Sequence, residues 1–300
     1  MKIDTSVMKG IIVPILTPID KDELIDEAVL RRMVDHVIQG GGHGILAFGS
    51  NGEFYCVEED EAQRGLRIIL DQAAGRVPVY CSVGAISTKK CIRMAKMAAA
   101  AGAAGVSVLQ PMFVKPTEEE LYRHFRSIAE AIPETPVLLY NNPARTGYGI
   151  TPKLALRLAA DVENIVGAKD SSGDMTVTCE YIRLTRGMDF KVFGGKDTLI
   201  YSAIAAGAAG CVATTANMFP QLVCSIYNLY AAGDIQGSLD AQYRLTPVRL
   251  TMDMATFPVG TKDLANLMGL EVGSPYLPTQ DSPESLKEVM RQAMKDSGLL

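Results

Sequence analysis

Hydrophobic residues fall into short, nearly continuous runs that alternate along the chain with longer stretches of mixed polarity. The longer stretches, such as those that begin at Asp26 and Glu118, carry apolar residues at helical spacing and acidic residues near their starts. The short runs have the length of buried strands and end in residues that favour turns. The runs begin at Gly10, Gly44, Val77, Gly105, Pro136, Ile165, Phe190 and Gly210.

This alternation predicts eight strand–helix units and therefore an α/β fold. Strands that are apolar throughout, rather than at every second position, indicate a parallel sheet that is covered on both faces. A closed (β/α)₈ TIM barrel is the natural arrangement at this chain length. A doubly wound open sheet is the alternative, but no GxGxxG motif follows the first predicted strand.

The pattern changes after Gly233, where no further strand is predicted. Helices are expected around residues 238–254, 262–268 and 283–296. We therefore divide the chain into a barrel over residues 1–232, which carries the functional site, and a C-terminal helical extension over residues 233–300. No low-complexity linker separates the two parts, so the extension is expected to pack on the barrel.

Composition and charge exclude several classes of protein. Of the 300 residues, 48% are apolar and 21% are charged, as is typical of a globular protein with an ample core. The net charge of −5 argues against a nucleic-acid partner, and no apolar run reaches the length of a membrane span. Six scattered cysteines without a CxxC pair, and an N-terminus without an apolar signal, predict a cytoplasmic protein. The three histidines are not at ligand spacing, so neither a metal nor another cofactor is expected.

In a barrel of this type the chemistry takes place where the strands end and the following loops begin. The sixth run ends in IVGAKDSSGD, which places Lys169 at such a position. Lysine is rarely buried, because removing an ammonium group from water is costly. One interpretation is that Lys169 points into the barrel, where a low dielectric favours the neutral, nucleophilic amine. The other is that it leaves the rim of the barrel in an ion pair with Asp170.

Three segments at predicted strand ends resemble motifs of one family. GSNGE from Gly49 resembles the pyruvate-carboxylate loop of the dihydrodipicolinate synthase and N-acetylneuraminate lyase family. YNNPARTG from Tyr140 resembles the strand-five motif of that family, and GAKDSSGD from Gly167 resembles its Schiff-base lysine motif. The motifs occur in the family's order, and the resemblance extends over nearly the whole chain. It implies a pyruvate-dependent class I aldolase or lyase.

The resemblance also implies a role for each matching residue. Lys169 would form an imine with pyruvate, and Tyr140 would transfer protons through its hydroxyl. Ser50 and Asn51, which replace the threonine pair of the synthases, would hold the pyruvate carboxylate. Further substrate contacts are implied for Thr17, Gly195 and Val212.

Two other positions distinguish branches of the family. Arg145 matches the arginine with which the synthases hold an acidic substrate, and a guanidinium can bind a carboxylate bidentately. A surface ion pair is the alternative for Arg145. Phe113 replaces a tyrosine that, in the synthases, completes a proton relay from a neighbouring subunit, and phenylalanine has no hydroxyl to relay a proton. This replacement calls the lysine-pathway reaction into question but does not affect imine formation.

Several functional alternatives stay open at this point. The same imine could serve the dehydration of a 2-keto-3-deoxy sugar acid, and a homologue could bind a keto acid without turnover. The loops after the seventh and eighth strands could instead bind phosphate, as in many barrels. The resemblance further implies pyruvate and an aldehyde as small-molecule partners, and a homotetramer built from dimers with Met112 and Phe113 at the dimer contact. The family's allosteric lysine pocket is not recognisable, since Phe54, Glu59 and Lys90 occupy its expected contact positions.

Overall fold

The sheet is a closed barrel of eight parallel strands in sequence order, in a computed structural model that describes residues 3–300. The first strand pairs with both the second and the last, which closes the barrel. This topology confirms the predicted (β/α)₈ fold and excludes the doubly wound open sheet. The strands are β1 (Gly10–Pro14), β2 (Gly44–Ala47), β3 (Val79–Val83), β4 (Gly105–Leu109), β5 (Val137–Asn141), β6 (Ile165–Asp170), β7 (Lys191–Gly194) and β8 (Gly210–Val212).

Helical segments follow every strand and cover the outside of the barrel. Several begin at side chains that accept a hydrogen bond from the first turn, such as Asp26 and Thr117. The helices that follow the strands are α1 (Glu27–Gln39), α2 (Glu59–Ala73), α3 (Thr88–Ala101), α4 (Glu118–Glu130), α5 (Pro143–Thr146), α6 (Pro152–Asp161), α7 (Met175–Leu184), α8 (Ile200–Ala205) and α9 (Pro220–Ala231).

Apolar side chains from several strands fill the interior of the barrel. They form a cluster that is separate from the larger core between the strands and the helices. Because this cluster fills the interior, side chains that can reach a ligand must lie at the rim of the barrel. The buried members of the cluster are Met8, Ile12, Leu46, Tyr80, Leu138, Val166, Phe193 and Val212.

One irregularity in the sheet decides which way the side chains of β6 point. The pairing between β5 and β6 shifts by one residue after Val137, so that β6 contains one extra residue. An extra residue reverses the alternation of side chains beyond it. Val166 belongs to the interior cluster and Ala168 to the outer core, and Lys169 therefore points into the barrel.

Three helices follow α9, as predicted, and complete the chain. They are α10 (Ile235–Met252), α11 (Val259–Leu267) and α12 (Glu284–Asp296). The first of them is tied to the barrel by Gln242, a buried side chain that donates a hydrogen bond to the carbonyl oxygen of Asp197 at 3.0 Å. The division into a barrel and a helical extension at residue 233 stays a prediction. No helix within residues 3–300 combines the length and the apolar character that a membrane span requires.

All six cysteines are free thiols. Four of them, Cys81, Cys91, Cys211 and Cys224, are buried, in agreement with their positions in apolar runs. Burial raises the pKa of these thiols, for example to about 12 for Cys81. They are therefore protonated side chains of the core at neutral pH and poor nucleophiles.

Candidate active site

The carboxyl end of the barrel holds a pocket of about 140 Å³. Loops after the strands form its base, and residues from α10, α11 and the segment between them close one side. Seven residues that were predicted from the sequence line it together, namely Ser50, Asn51, Tyr140, Arg145, Lys169, Gly195 and Val212. The other two predicted residues, Thr17 and Phe113, do not line this pocket.

Lys169 and Tyr140 lie side by side at the base of the pocket because they are partners in the register of β5 and β6. The Lys169 side chain is buried, with 5% of its surface exposed, and its Nζ lies 4.0 Å from the centroid of the Tyr140 ring. A cation above an aromatic face is attracted to it, which offsets part of the cost of burial. The amine is therefore held in place without a carboxylate in contact with it.

Asp170 points to the opposite side of β6. Its carboxylate accepts hydrogen bonds from Asn141 Nδ2 at 2.8 Å, from Ser172 Oγ at 3.0 Å and from Thr178 Oγ1 at 2.6 Å. These contacts join β6 to β5 and α7 and occupy the carboxylate. The alternative in which Lys169 leaves the rim in an ion pair with Asp170 is therefore wrong.

The Tyr140 hydroxyl is the centre of a small hydrogen-bonded group. Ser50 Oγ lies 3.2 Å from it, and Asn142 Nδ2 donates a hydrogen bond to it at 2.9 Å. Burial alone raises the pKa of Tyr140. The positive charge of Lys169 and the hydrogen bonds from Ser50 and Asn142 outweigh burial, so that the pKa lies below its ordinary value. A hydroxyl in this environment can both give up and take back a proton.

The loop after β2 forms a short 3₁₀ turn at Ser50–Gly52. Thr17, in the loop after β1, donates a hydrogen bond from Oγ1 to the carbonyl oxygen of Gly52 at 2.7 Å. Asn51 Nδ2 donates to Thr214 Oγ1 at 2.7 Å, which ties the turn to the loop after β8. The first N–H groups of such a turn have no acceptor within it and are open to an anion. Thr17 therefore supports the turn and does not line the pocket.

Gly195 lies where the loops after β6 and β7 approach each other. Its N–H donates to the carbonyl oxygen of Asp170 at 2.7 Å, and its own carbonyl oxygen accepts a hydrogen bond from Ser171 Oγ at 3.3 Å. A β-carbon at this position would overlap Ser171 Oγ. A larger residue would therefore have to displace Ser171, while Val212 on the neighbouring β8 gives this side of the pocket an apolar side chain.

Three cationic side chains line the outer part of the pocket. Lys196 Nζ and Arg249 Nη1 lie 3.5 Å and 2.9 Å from the carboxylate of Asp253. The guanidinium carbon of Arg145 lies 3.9 Å from the centroid of the Phe257 ring. Stacking on an aromatic face leaves the hydrogen-bond donors at the edge of a guanidinium available to a ligand. The outer part of the pocket is therefore suited to an anionic group.

Some residues of the pocket were given no role from the sequence. Asn142 and Lys196 lie in segments at the ends of β5 and β7 that the sequence marked as candidates, YNNPARTG and GGKD, but no function was predicted for either side chain. Arg249 and Phe257 carried no signal in the sequence, because they lie on α10 and the loop that follows it, well after the last strand.

Phe113 lies on the loop after β4, away from the pocket of its own chain. Its side chain is 94% exposed, and its backbone has φ 69°. A left-handed backbone is unfavourable for an aromatic residue and persists only where the surroundings impose it. The predicted role of Phe113 at a subunit contact stays a prediction.

Comparison with known proteins agrees with this geometry. The model of the dihydrodipicolinate synthetase family matches residues 7–296. The chain is 38% identical to the 4-hydroxy-tetrahydrodipicolinate synthase of Thermus thermophilus over 97% of both chains. It is 33% identical to the enzyme of that name from Methanopyrus kandleri, over 98% of this chain and 97% of the relative.

Solved structures show the same similarity in three dimensions. The crystal structure of dihydrodipicolinate synthase from Thermotoga maritima matches with a TM-score of 0.94 at 31% identity, over 97% of this chain and 99% of that one. A monomeric dihydrodipicolinate synthase variant matches with a TM-score of 0.95 at 31% identity, over 99% of this chain and 100% of that one. The chain therefore belongs to the dihydrodipicolinate synthetase family and is a pyruvate-dependent lyase of the Schiff-base class.

Proposed function

We propose that Lys169 forms the Schiff base with pyruvate. The observation that carries this assignment is the buried Lys169 amine above the Tyr140 ring, at the base of a pocket lined by hydrogen-bonding groups. The amine attacks the keto carbon, and loss of water leaves an iminium ion. The iminium withdraws electrons from the adjacent methyl group, which then loses a proton to give an enamine. The enamine carbon forms a bond to the carbonyl carbon of an aldehyde, and the reverse steps cleave such a bond.

The 3₁₀ turn after β2 would hold the pyruvate carboxylate. The Ser50 hydroxyl and the backbone N–H groups of Ser50 and Asn51 supply donors that suit a carboxylate, and the turn lines the pocket beside Lys169. Gly195 and Val212 would enclose the imine from the side of β7 and β8. Thr17 would contribute indirectly, through its hydrogen bond to Gly52.

Tyr140 would transfer the proton during carbon–carbon bond formation and cleavage. Its hydroxyl would donate a proton to the aldehyde oxygen as the bond forms and would accept it back as the bond breaks. Ser50 lies within hydrogen-bond distance of this hydroxyl and would pass the proton onward. The lowered pKa of Tyr140 supports this role, because it brings the hydroxyl closer to neutral pH.

The outer part of the pocket favours a second substrate that carries an anionic or polyhydroxylated group. Lys196 and Arg249 share one carboxylate, that of Asp253, and Arg145 adds a third cation, so positive charge is in excess in the outer part. Relatives named 4-hydroxy-tetrahydrodipicolinate synthase support condensation of pyruvate with aspartate semialdehyde. The missing hydroxyl at Phe113 argues that this condensation is slow. We therefore propose cleavage or dehydration of a hydroxylated 2-keto acid as the faster reaction.

Inhibition by lysine is not expected. Glu59 and Lys90 line a separate cavity of about 690 Å³ beside α2 and α3. Their charges are already paired, since Lys90 Nζ lies 3.5 Å from Glu59 Oε1 and Arg93 also contacts that carboxylate. Phe54 and Tyr55 make another part of the wall aromatic. The charged groups at the expected contact positions are therefore paired with each other, which does not favour the ammonium and carboxylate of an amino acid.

We infer that the chain assembles as a homotetramer of tight dimers. Phe113, Val114, Ile86 and Tyr55 expose 94%, 42%, 50% and 48% of their surfaces. Tyr55 and Ile86 line the same cavity as Met112, next to Phe113, so that these apolar side chains form one region. Burial against a second copy would remove this apolar surface from water and would stabilise the left-handed backbone of Phe113. The cytoplasmic location expected from the cysteines stays a prediction.

The first prediction concerns Lys169. Treatment with pyruvate and borohydride should add a single reduced pyruvate adduct, on a peptide that contains Lys169, because within residues 3–300 only this amine lies at the base of the pocket. Intact-mass and peptide mass spectrometry measure the adduct. Lys169→Ala should show no adduct. Lys115→Ala, which removes an exposed lysine instead, is the matched control and should still form the adduct. An adduct of equal yield in Lys169→Ala would contradict the assignment.

The second prediction concerns the Tyr140 hydroxyl. Tyr140→Phe should retain the fold but should lower kcat by about 100-fold or more, the usual contribution of a positioned acid–base group. The kcat for cleavage or condensation measures this, with circular dichroism as a check of folding. Tyr148→Phe, which removes a hydroxyl that donates to the carbonyl oxygen of Pro111 outside the proposed proton path, is the control. An unchanged kcat in Tyr140→Phe would show that the hydroxyl is not needed and that this tyrosine serves only in packing.

The third prediction concerns assembly. Light scattering at micromolar concentration should give the mass of a tetramer, or at least of a dimer. Phe113→Glu should shift the mass toward the monomer, because a carboxylate would be buried in the apolar contact. The control is Leu250→Glu, which changes an exposed apolar residue on α10 and should leave the mass unchanged. A monomeric wild-type protein would refute the inference.

The fourth prediction compares Arg145 with Phe113. Wild-type protein should condense pyruvate with aspartate semialdehyde weakly and without inhibition by lysine, and should release pyruvate faster from some hydroxylated 2-keto acid. Phe113→Tyr should raise the synthase rate, by up to about 100-fold, if a relayed proton limits it. Phe113→Leu, which adds no hydroxyl, is the control. If the wild-type protein condenses the two substrates rapidly, and Phe113→Tyr has the same rate, the enzyme is an ordinary synthase.

A further inference from the structure

A buried ion pair joins α11 to the 3₁₀ turn of the pocket. Lys262 Nζ lies 2.8 Å from Glu53 Oε2, and the two side chains are 0% and 1% exposed. Glu53 follows Gly52, the last residue of the turn. Because an unpaired charge in the interior is very unfavourable, each member of such a pair restrains the position of the other. The direction in which the chain leaves the turn is thereby coupled to α11.

The other polar atoms of the pair extend this coupling to the segment after α11. Lys262 Nζ donates a hydrogen bond to the carbonyl oxygen of Ser274 at 2.9 Å. Glu53 Oε1 accepts a hydrogen bond from the backbone N–H of Tyr276 at 3.0 Å. The Tyr276 ring also lies 5.5 Å from Lys262 Nζ. The pair therefore has a defined geometry, which a mobile surface ion pair would lack.

The backbone conformation of Glu53 indicates that surrounding contacts hold this residue in place. Its φ is 52°, in the left-handed region that residues with a side chain rarely adopt. An unfavourable conformation of this kind persists only where surrounding contacts require it. The buried pair with Lys262 and the hydrogen bond from Tyr276 are such contacts.

A second link between α11 and the turn begins one residue earlier. Thr261 Oγ1 donates a hydrogen bond to Asn51 Oδ1 at 3.1 Å, while Asn51 Nδ2 donates to Thr214. Two adjacent residues of α11 thus hold the middle residue of a three-residue turn and the residue that follows the turn. The barrel supplies only part of the support of this turn, through Thr17 and Thr214.

We propose that Glu53 and Lys262 are positioning residues for the keto-acid carboxylate: through their ion pair, α11 sets the orientation of the Ser50 and Asn51 donors. The proposal rests on the function proposed above for this turn. A displacement of about 1 Å at such donors is enough to change binding or rate by one to two orders of magnitude. The pair itself touches no substrate and acts through the backbone of the turn.

The test measures pyruvate binding separately from turnover. The amount of borohydride-trapped adduct on Lys169 is followed against pyruvate concentration, alongside kcat, KM and urea unfolding. Lys262→Met keeps the length of the side chain but leaves Glu53 unpaired. It should raise the half-saturating pyruvate concentration by about tenfold or more, while saturating pyruvate still gives a full adduct on Lys169.

The double variant Glu53→Gln/Lys262→Met separates positioning from stability. Removing both charges should restore the unfolding free energy relative to Lys262→Met, because no unpaired charge remains buried. The half-saturating pyruvate concentration should stay raised by about threefold or more, because the restraint on the turn is still missing. Thr261→Val removes only the hydrogen bond to Asn51 and should produce a smaller rise in the half-saturating pyruvate concentration. This variant tests the proposal if Lys262→Met does not fold.

The matched control is Asp263→Asn. Asp263 is the next residue of α11, its side chain is 1% exposed, and it lies 3.7 Å from Lys287 Nζ of α12, away from the turn. This variant should alter stability but not the half-saturating pyruvate concentration. An equal rise in the control, or no rise in either the double variant or Thr261→Val, would overturn the proposal. Absence of an adduct in the wild-type protein would instead overturn the proposed function.

Discussion

Closure of the sheet between β1 and β8 is the constraint on which the rest of the structure depends. The two strands approach so closely that a β-carbon on Gly210 would overlap the backbone of Gly10. An open sheet would leave two edges with unpaired backbone groups and would separate the loops that form the pocket. In the closed barrel all eight strands end on one rim. The base of the pocket is formed by residues on that rim, so the site depends on closure of the sheet.

The packing of the interior decides what lies beneath the pocket. An apolar layer that includes Leu138, Val166 and Phe193 lies in the barrel below Lys169. The Lys169 amine therefore borders an apolar floor and the Tyr140 ring. The two ends of the pocket differ in character: hydrogen-bonding groups form the base, and cationic side chains surround the outer part.

The helical extension takes part in the site as well as covering the barrel. Arg249 on α10 contributes charge to the outer part of the pocket, and Thr261 on α11 contacts Asn51 in the turn. The buried pair of Glu53 and Lys262 ties the same helix to the same turn. A barrel without these helices would leave Glu53 without its partner. The sequence division at residue 233 therefore separates two patterns of secondary structure that share one site.

The sequence by itself indicated the order of strands and helices, favoured a closed barrel over an open sheet, and placed Lys169, Tyr140 and Ser50 at the ends of strands. These features depend on periodicity and on motifs of adjacent residues, which can be read without knowing any distant contact. Whether Lys169 or Asp170 points into the barrel was decided only by the tertiary structure, because the bulge in β6 is defined by pairing with β5.

The contacts of Glu53 with Lys262, and the presence of Arg249 in the pocket, were likewise decided by packing. Local sequence carries no information about which helix of the extension will lie over which loop of the barrel. Such contacts arise when apolar faces are buried together, and the polar residues that they bring into contact are far apart in the chain. The residues at the base of the pocket were therefore identified from the sequence, and the residues that support them were not.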